Sequence, residues 1–205
     1  MQMDRLKVTD DKIVNIVLSG VGGQGVLVAS DIMVEVATDA GFDTKKSEVH
    51  GMAQRGGSVV SQVRYGNKIY SPLIKMGEAD VILAFEKLES IRYLDYIKPG
   101  GLVIFNNQQI TPLTVFTSKT EYPQNIEQLC KKKTQNVLPV NGLEIAEKLN
   151  NLRVLNTVML GMISNFLEFD PENWLKIISN RVPAKTVDLN KQAFEQGRSL
   201  IKDIV

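Results

Sequence analysis

Ile13-Val-Asn-Ile-Val-Leu-Ser-Gly-Val-Gly-Gly-Gln-Gly25 decides the fold. The apolar run Ile13 to Leu18 reads as a buried strand, and Ser19-Gly20 as its exit into a turn. Beyond the glycines, Leu27, Met33, Val36, Ala37 and Ala40 recur at helical spacing. Asp31, Glu35 and Asp39 line another side, and Gly41 stands where a helix stops. Strand, glycine turn and helix make the opening β-α unit of an α/β domain.

Similar units follow. Val59, Val63 and Tyr65 alternate with Gln62 and Arg64, the pattern of a half-buried strand. Gly66-Asn67 then reads as a turn into Lys68-Ile-Tyr70, giving a hairpin. Asp80 to Phe85 reads as a buried strand, Leu88 to Ile97 as a helix stopped by Pro99-Gly-Gly101, and Leu102 to Phe105 as the next strand. Asn136 to Val140 is a strand whose Pro139 favours an edge or a terminus. From about residue 154 onward the chain reads as helical. Leu155, Val158, Met159, Met162, Ile163 and Phe166 form an apolar stripe. Asp170-Pro171 opens a helix through Trp174, Leu175 and Ile178, and Ala193, Phe194, Gly197, Leu200 and Ile201 mark a last one. The expected fold is one three-layer α/β/α domain over residues 1–205. Its sheet is mixed, mostly parallel and Rossmann-like, with the C-terminal helices (about 154–205) packed on it.

Composition narrows the function. A chain of 205 residues with 43% hydrophobic and 23% charged residues is ordinary globular material. A net charge of +1 gives no global field for nucleic acid or membrane. Lys131-Lys-Lys133 reads as the cationic end of a helix. The one cysteine, Cys130, and the one histidine, His50, cannot supply the four ligands of a structural zinc or the usual four cysteines of an iron–sulfur cluster. No apolar run approaches the ~20 residues of a membrane span. The expectation is a soluble, cytoplasmic protein with no metal site of its own.

Two glycine stretches carry the chemistry. In the first, Gly20, Gly22 and Gly25 satisfy G-x-G-x-x-G, with Gly23 and Gln24 between them. Backbone N–H groups at the head of the following helix could hold a phosphate. Equally, the glycines could serve only a tight β-α connection. A dinucleotide site wants a ribose carboxylate about 20 residues on. Asp43 and Glu48 are the candidates, although Asp43 to Ser47 is too polar for a central parallel strand. A P-loop is excluded, since Val26-Leu27 occupy the places of its Lys and Ser/Thr.

The second stretch is Glu48-Val-His50-Gly51-Met-Ala-Gln54-Arg55-Gly56-Gly57-Ser58. His50 exchanges a proton near neutral pH, and Arg55 offers a planar fork for carboxylate or phosphate. Gly56-Gly57 lets a ligand or backbone approach the strand that starts near Ser58. The set suits an acidic ligand. It also allows a purely structural reading in which Arg55 pairs with Glu48. No nucleophile accompanies the histidine.

Together these motifs resemble the gamma-type subunits of 2-oxoacid:ferredoxin oxidoreductases, and within them the indolepyruvate branch. Tyr70-Ser-Pro-Leu73, Gly77-Glu-Ala-Asp80, Phe85-Glu86 and Asn156-Thr-Val-Met-Leu-Gly161 extend the likeness over about residues 13–165. The resemblance implies a complex with a large subunit carrying thiamine diphosphate, Mg²⁺ and iron–sulfur clusters. Such a complex decarboxylates a 2-oxoacid, passes the acyl group to coenzyme A and reduces ferredoxin. This chain would bind none of those groups alone: Asn106-Asn107 lacks the upstream Gly-Asp-Gly of a thiamine-diphosphate site. Glu48 to Ser58 would face the partner near its reaction site, with His50 or Arg55 holding an anionic group. A self-sufficient NAD(P)-binding dehydrogenase and a non-catalytic assembly module are the alternatives.

Overall fold

A computed structural model of the chain describes residues 5–9, 12–50, 56–111 and 122–203. Its core is a six-stranded sheet of order β2-β3-β1-β4-β5-β6. The strands are β1 Val14–Val21, β2 Asp43–His50, β3 Ser58–Gly66, β4 Ala79–Ala84, β5 Ile97–Asn106 and β6 Asn136–Val140. β1, β4, β5 and β6 pair in parallel, while β3 runs antiparallel to both β1 and β2. Every residue of β1 and β4 is buried, as the continuous apolar runs of interior parallel strands require. Pro139, which has no N–H for a second neighbour, lies on the edge strand β6.

The polar stretch Asp43 to Ser47, too polar for a central parallel strand, is instead an antiparallel strand at the opposite edge. There one face is enough to hold it. Lys46 pairs with Asp31 of α1 (Val26–Asp39) and with Glu48, and Thr44 Oγ1 lies 3.0 Å from Thr38 Oγ1. Burial pulls the Lys46 ammonium down, but its hydrogen bonds to Asp31 and Glu48 outweigh that and leave it raised.

The hairpin is also placed differently from the sequence expectation: β3 pairs with β2 before it, not with Lys68 to Tyr70 after it. With β1 and β2 on either side, β3 has no free edge left. The chain beyond Gly66 therefore leaves the sheet and crosses it as a strap. Asp43 Oδ2 accepts from Ile69 N–H (2.8 Å), Gln62 Oε1 from Ile74 N–H (2.7 Å), and Arg64 Nη1 donates to the carbonyls of Ser71 and Leu73 (2.8 and 2.9 Å). The polar face of β3 grips this strap.

A third difference lies at Leu88 to Ile97. The helix α2 spans only Lys87–Arg92, a 3₁₀ turn covers Leu94–Tyr96, and Ile97 already belongs to β5. Pro99-Gly-Gly101 forms a bulge within that strand, between the pairs Ala79–Ile97 and Val81–Leu102, with Gly100 at φ 74°.

Two cores flank the sheet, which makes three layers. On one side lie α1, α4 (Gly142–Lys148), α5 (Leu155–Ser164), α6 (Pro171–Arg181) and α7 (Val187–Ser199). On the other lie α2 and α3 (Ile126–Lys131). α1 ends as its sequence promised: Gly41 takes φ 91°, and Phe42 N–H and Gly41 N–H reach back to the carbonyls of Ala37 and Thr38.

All ten residues of α5 are buried, not just its apolar stripe, because α7 covers the side turned from the sheet. Their crossing is unusually close. A Cβ on Gly161 would lie 2.1 Å from the Phe194 carbonyl oxygen, and one on Gly197 would lie 2.1 Å from that of Val158. Among the described residues no helix is long and apolar enough to cross a membrane.

Candidate functional site

β1 leads into α1 in one core layer, and β4 leads into α2 in the other. Where successive connections depart to opposite faces, a crevice opens at the carboxyl ends of the strands, the usual ligand position in such sheets. The first glycine stretch lies there. Gly20 is required by packing: its Cβ would lie 2.7 Å from Val26 Cγ2 and 3.0 Å from Phe85 Cβ. Gly23 and Gly25 take φ 105° and 79°, the left-handed region that favours glycine. Gly25 is the N-cap of α1 and packs under Asn156, whose Nδ2 would be 3.0 Å from an added Cβ.

Gln24 turns inward. Its Oε1 accepts from Val21 N–H (2.7 Å), and its Nε2 donates to the Phe85 carbonyl (3.0 Å) and to Gln108 Oε1 (2.9 Å). Asn106 Nδ2 donates to the same Phe85 carbonyl, at 3.2 Å. A chain of amides thus closes the floor of the crevice. Gln24→Ala is expected to cost about 1–3 kcal/mol by stranding those backbone groups. Urea unfolding checks it, as a lower midpoint at unchanged slope.

The two glycine stretches meet here. Gly22 N–H donates to the Gly57 carbonyl (2.8 Å), and Gly56 N–H faces the Gly22 carbonyl at 3.5 Å. The contact continues the β1–β3 ladder, in which Val21 pairs with Ser58 and Gly20 with Val59. Ser58 Oγ donates to Glu89 Oε2 (2.5 Å), and Arg92 Nε donates to Glu89 Oε1 (2.9 Å). Ser58 therefore ties the exit of the second stretch to α2. Glu48 lies within β2, and His50 ends it, opposite Val59. Gly51, Gln54 and Arg55 fall outside the described residues, as does the side chain of His50.

Beside this seam, Glu86 is 1% exposed. Its carboxylate caps α2 by accepting from Leu88 N–H (2.7 Å) and Glu89 N–H (3.1 Å). Its other oxygen accepts from Ile110 N–H (3.1 Å) and Tyr122 Oη (2.5 Å). Burial, reinforced by Glu86, pushes the Tyr122 phenol far up.

Sequence reasoning passed over Glu86, Glu89 and Asn106 as site residues. An acid at the end of an apolar strand, just ahead of a helix, was the available signal for Glu86. Glu89 and Asn106 act through partners distant in sequence and left none.

The geometry speaks against a dinucleotide site. β3 separates β2 from β1, so the second parallel strand that would bring a ribose carboxylate beside the glycines is not their neighbour. Asp43 stands at the far end of β2, bound to Ile69 N–H and Lys45, and Glu48 is engaged by Lys46. What remains is a Rossmann-like domain whose crevice floor is sealed by its own side chains. At its rim the first glycine stretch meets Gly56 and Gly57.

Comparison with known proteins agrees. The family model described as pyruvate ferredoxin/flavodoxin oxidoreductase matches residues 15–200, and the chain belongs to that family. It is 41% identical over 187 residues to the indolepyruvate oxidoreductase subunit IorB of Archaeoglobus fulgidus, covering 89% of this chain and 92% of that one. The gamma subunit of a keto/oxoacid ferredoxin oxidoreductase from Geobacter sulfurreducens PCA superposes with TM-score 0.67 at 26% identity, covering 93% and 99%. A 2-oxoglutarate:ferredoxin oxidoreductase from Magnetococcus marinus superposes with TM-score 0.77 at 22% identity. That match takes in 96% of this chain but only 32% of the other.

The residues present do not fit an iron–sulfur cluster. Cys130 is fully buried, 3.6 Å from Ser90 Oγ, and burial pushes its thiol up, whereas a cluster ligand is a thiolate. Among the described residues no three His, Cys, Asp or Glu side chains gather as metal ligands.

Proposed function

We propose that this chain is the smaller, cluster-free subunit of a cytoplasmic indolepyruvate:ferredoxin oxidoreductase, acting as one domain and inactive alone. The reaction splits an aryl pyruvate into carbon dioxide and an acyl group, which leaves as the thioester of coenzyme A. The electrons released reduce ferredoxin. Thiamine diphosphate, with its Mg²⁺, supplies the carbanion chemistry and the clusters supply electron transfer, all on the large partner. The 41% identity to the Archaeoglobus subunit carries this reading.

Within it, the chain's own residues build one wall of a shared site. The stretch from Glu48 to Ser58, which runs from the end of β2 to the start of β3, meets the partner near the reacting carbons. Arg55 holds a carboxylate of the 2-oxoacid or a phosphate of the coenzyme, and His50 stands beside it as a proton-exchanging group. The Gly20 to Gly25 stretch supports that second stretch through Gly22. At Gly23, which is exposed with open space around it, the uncapped head of α1 is free to meet a phosphate.

The test is co-expression with the cofactor-bearing subunit, followed by an anaerobic assay with coenzyme A and an artificial electron acceptor. Indolepyruvate, pyruvate, 2-oxoisovalerate and 2-oxoglutarate are each offered, and indolepyruvate is expected to give the highest kcat/KM. Activity independent of this chain, or no complex at all, overturns the proposal. Arg55→Ala is expected to lower kcat/KM roughly tenfold to a hundredfold, the worth of a hydrogen bond to a charged group. Kinetic constants equal to those of the parent complex would remove Arg55 from the site.

A further inference from the structure

We infer that the cofactor-bearing partner docks on the face of the β2–β3 hairpin turned away from α1, which among the described residues is crossed by the strap. This rests on the functional reading above.

The two faces of the hairpin are unlike. On one, α1 packs against both strands, over Val59, Val63 and Tyr65. On the other, α2 packs on β1, β4 and β5, and α3 on α2 and β6. Among the described residues, the strap crosses β3 on this second face, and α2 reaches that strand at Ser58, its first residue. Val60, Val17 and Ile74 are buried there together, but Val49, paired with Val60 from the edge strand, is 64% exposed. The strap contributes Tyr70, Leu73 and Met76, which are 90%, 58% and 73% exposed. Four of the six exposed large apolar side chains among the described residues thus belong to this hairpin and its strap. Apolar surface gathered in this way marks an interaction site.

Two observations choose the occupant. In the Magnetococcus enzyme the equivalent of this chain is 32% of a longer polypeptide. Contacts that a longer polypeptide can make within itself have to be made here with a separate chain. The same hairpin also carries the glycine-rich loop between His50 and Ser58, so a partner seated on it lies alongside that loop. A second copy adding to the sheet through β2 is disfavoured. Lys45–Asp43 and Lys46–Glu48 put charges along that edge, a device that blocks strand addition.

Two measurements on the co-expressed complex test this. Val49→Asp/Leu73→Asp is expected to weaken binding of the partner about tenfold or more. The control Val28→Asp, an exposed site on α1 in the opposite layer, should leave affinity unchanged. Met76→Cys gives a readout that does not depend on destabilisation. Because Cys130 is fully buried, maleimide adducts on this chain, read by its mass after the subunits are separated, report on position 76, and labelling should slow about tenfold or more once the partner is bound. Unchanged labelling in an intact complex, or damage from Val28→Asp equal to that of the double variant, overturns the docking surface alone. A self-associated chain whose labelling at position 76 rises on dilution, with no effect of the partner, assigns the face to a second copy and also overturns it. Failure of the unmodified chain to bind any cofactor-bearing subunit overturns the functional reading itself.

Discussion

Gly197→Ala should lower the stability of the chain by about 3 kcal/mol, near the top of the range for an overpacked core. The added methyl would start 2.1 Å from the Val158 carbonyl oxygen, so a flexible side chain cannot yield to it. The atom in its way is backbone of α5, which is buried along its whole length. The helices must separate, and every contact along their crossing loosens. Alanine in place of helical glycine returns about 1 kcal/mol of helix propensity, too little to offset this. For a chain of this length the melting temperature should fall by roughly 6–12 °C. Gly161→Ala meets the Phe194 carbonyl oxygen at the same 2.1 Å and should cost about as much. The double variant is the sharper test. Once one methyl has spread the helices, the second enters a gap already opened, so the two losses should sum to more than the measured total. Strict additivity in calorimetry would mean that the close crossing is not what the glycines protect.

Glu86→Ala is expected to cost about 3–5 kcal/mol, the scale of breaking a buried charged network. The carboxylate serves three main-chain N–H groups and one phenol, and alanine leaves all of them without an acceptor. Loss of the helix cap alone accounts for about 1 kcal/mol. The remainder falls on Ile110 and Tyr122, which share one carboxylate oxygen and so hold together the two ends of the segment between them. Glu86→Gln retains one acceptor oxygen and can direct its amide at Tyr122, whose hydroxyl also accepts, so its loss should be smaller. Equal losses for the two variants would contradict the network.

The same contact has a pH signature. Burial and Glu86 raise the Tyr122 pKa above its ordinary value near 10. The neutral phenol is thus the form the fold prefers. Its contribution is complete below the pKa of the unfolded chain and is lost as pH rises above it. Tyr122→Phe, whose ring has no proton to lose, should be less stable near neutral pH but lose less stability as pH rises above that value, read by urea unfolding at a series of pH values.

Local patterns read well where the cause was local. The apolar runs of β1 and β4, the α1 periodicity ending at Gly41, and Pro171 at the head of α6 each specify an element through near neighbours. Less was legible where the decision is made far away. Asp43 to Ser47 is too polar for a central parallel strand and is not one, but its place as an antiparallel edge strand depends on α1 and on the edge, neither visible in its own composition. Lys68 to Tyr70 looked like a returning strand because the sequence does not announce that β1 already occupies that side of β3.

The site divides in the same way. Glycines at positions 20, 22, 23 and 25 announced a special turn. That Gln24 closes the crevice onto Phe85 and Gln108 depends on residues 61 and 84 positions away. The motif marked the place, and long-range packing decided that its glutamine serves the protein itself.

The seam between Gly22 and Gly57 is made of main-chain atoms. No side chain takes part in it, so side chains within the second stretch can be exchanged over evolutionary time while the seam itself is kept. A lineage of such subunits is free to alter His50, Gln54 or Arg55 without rebuilding the domain that carries them.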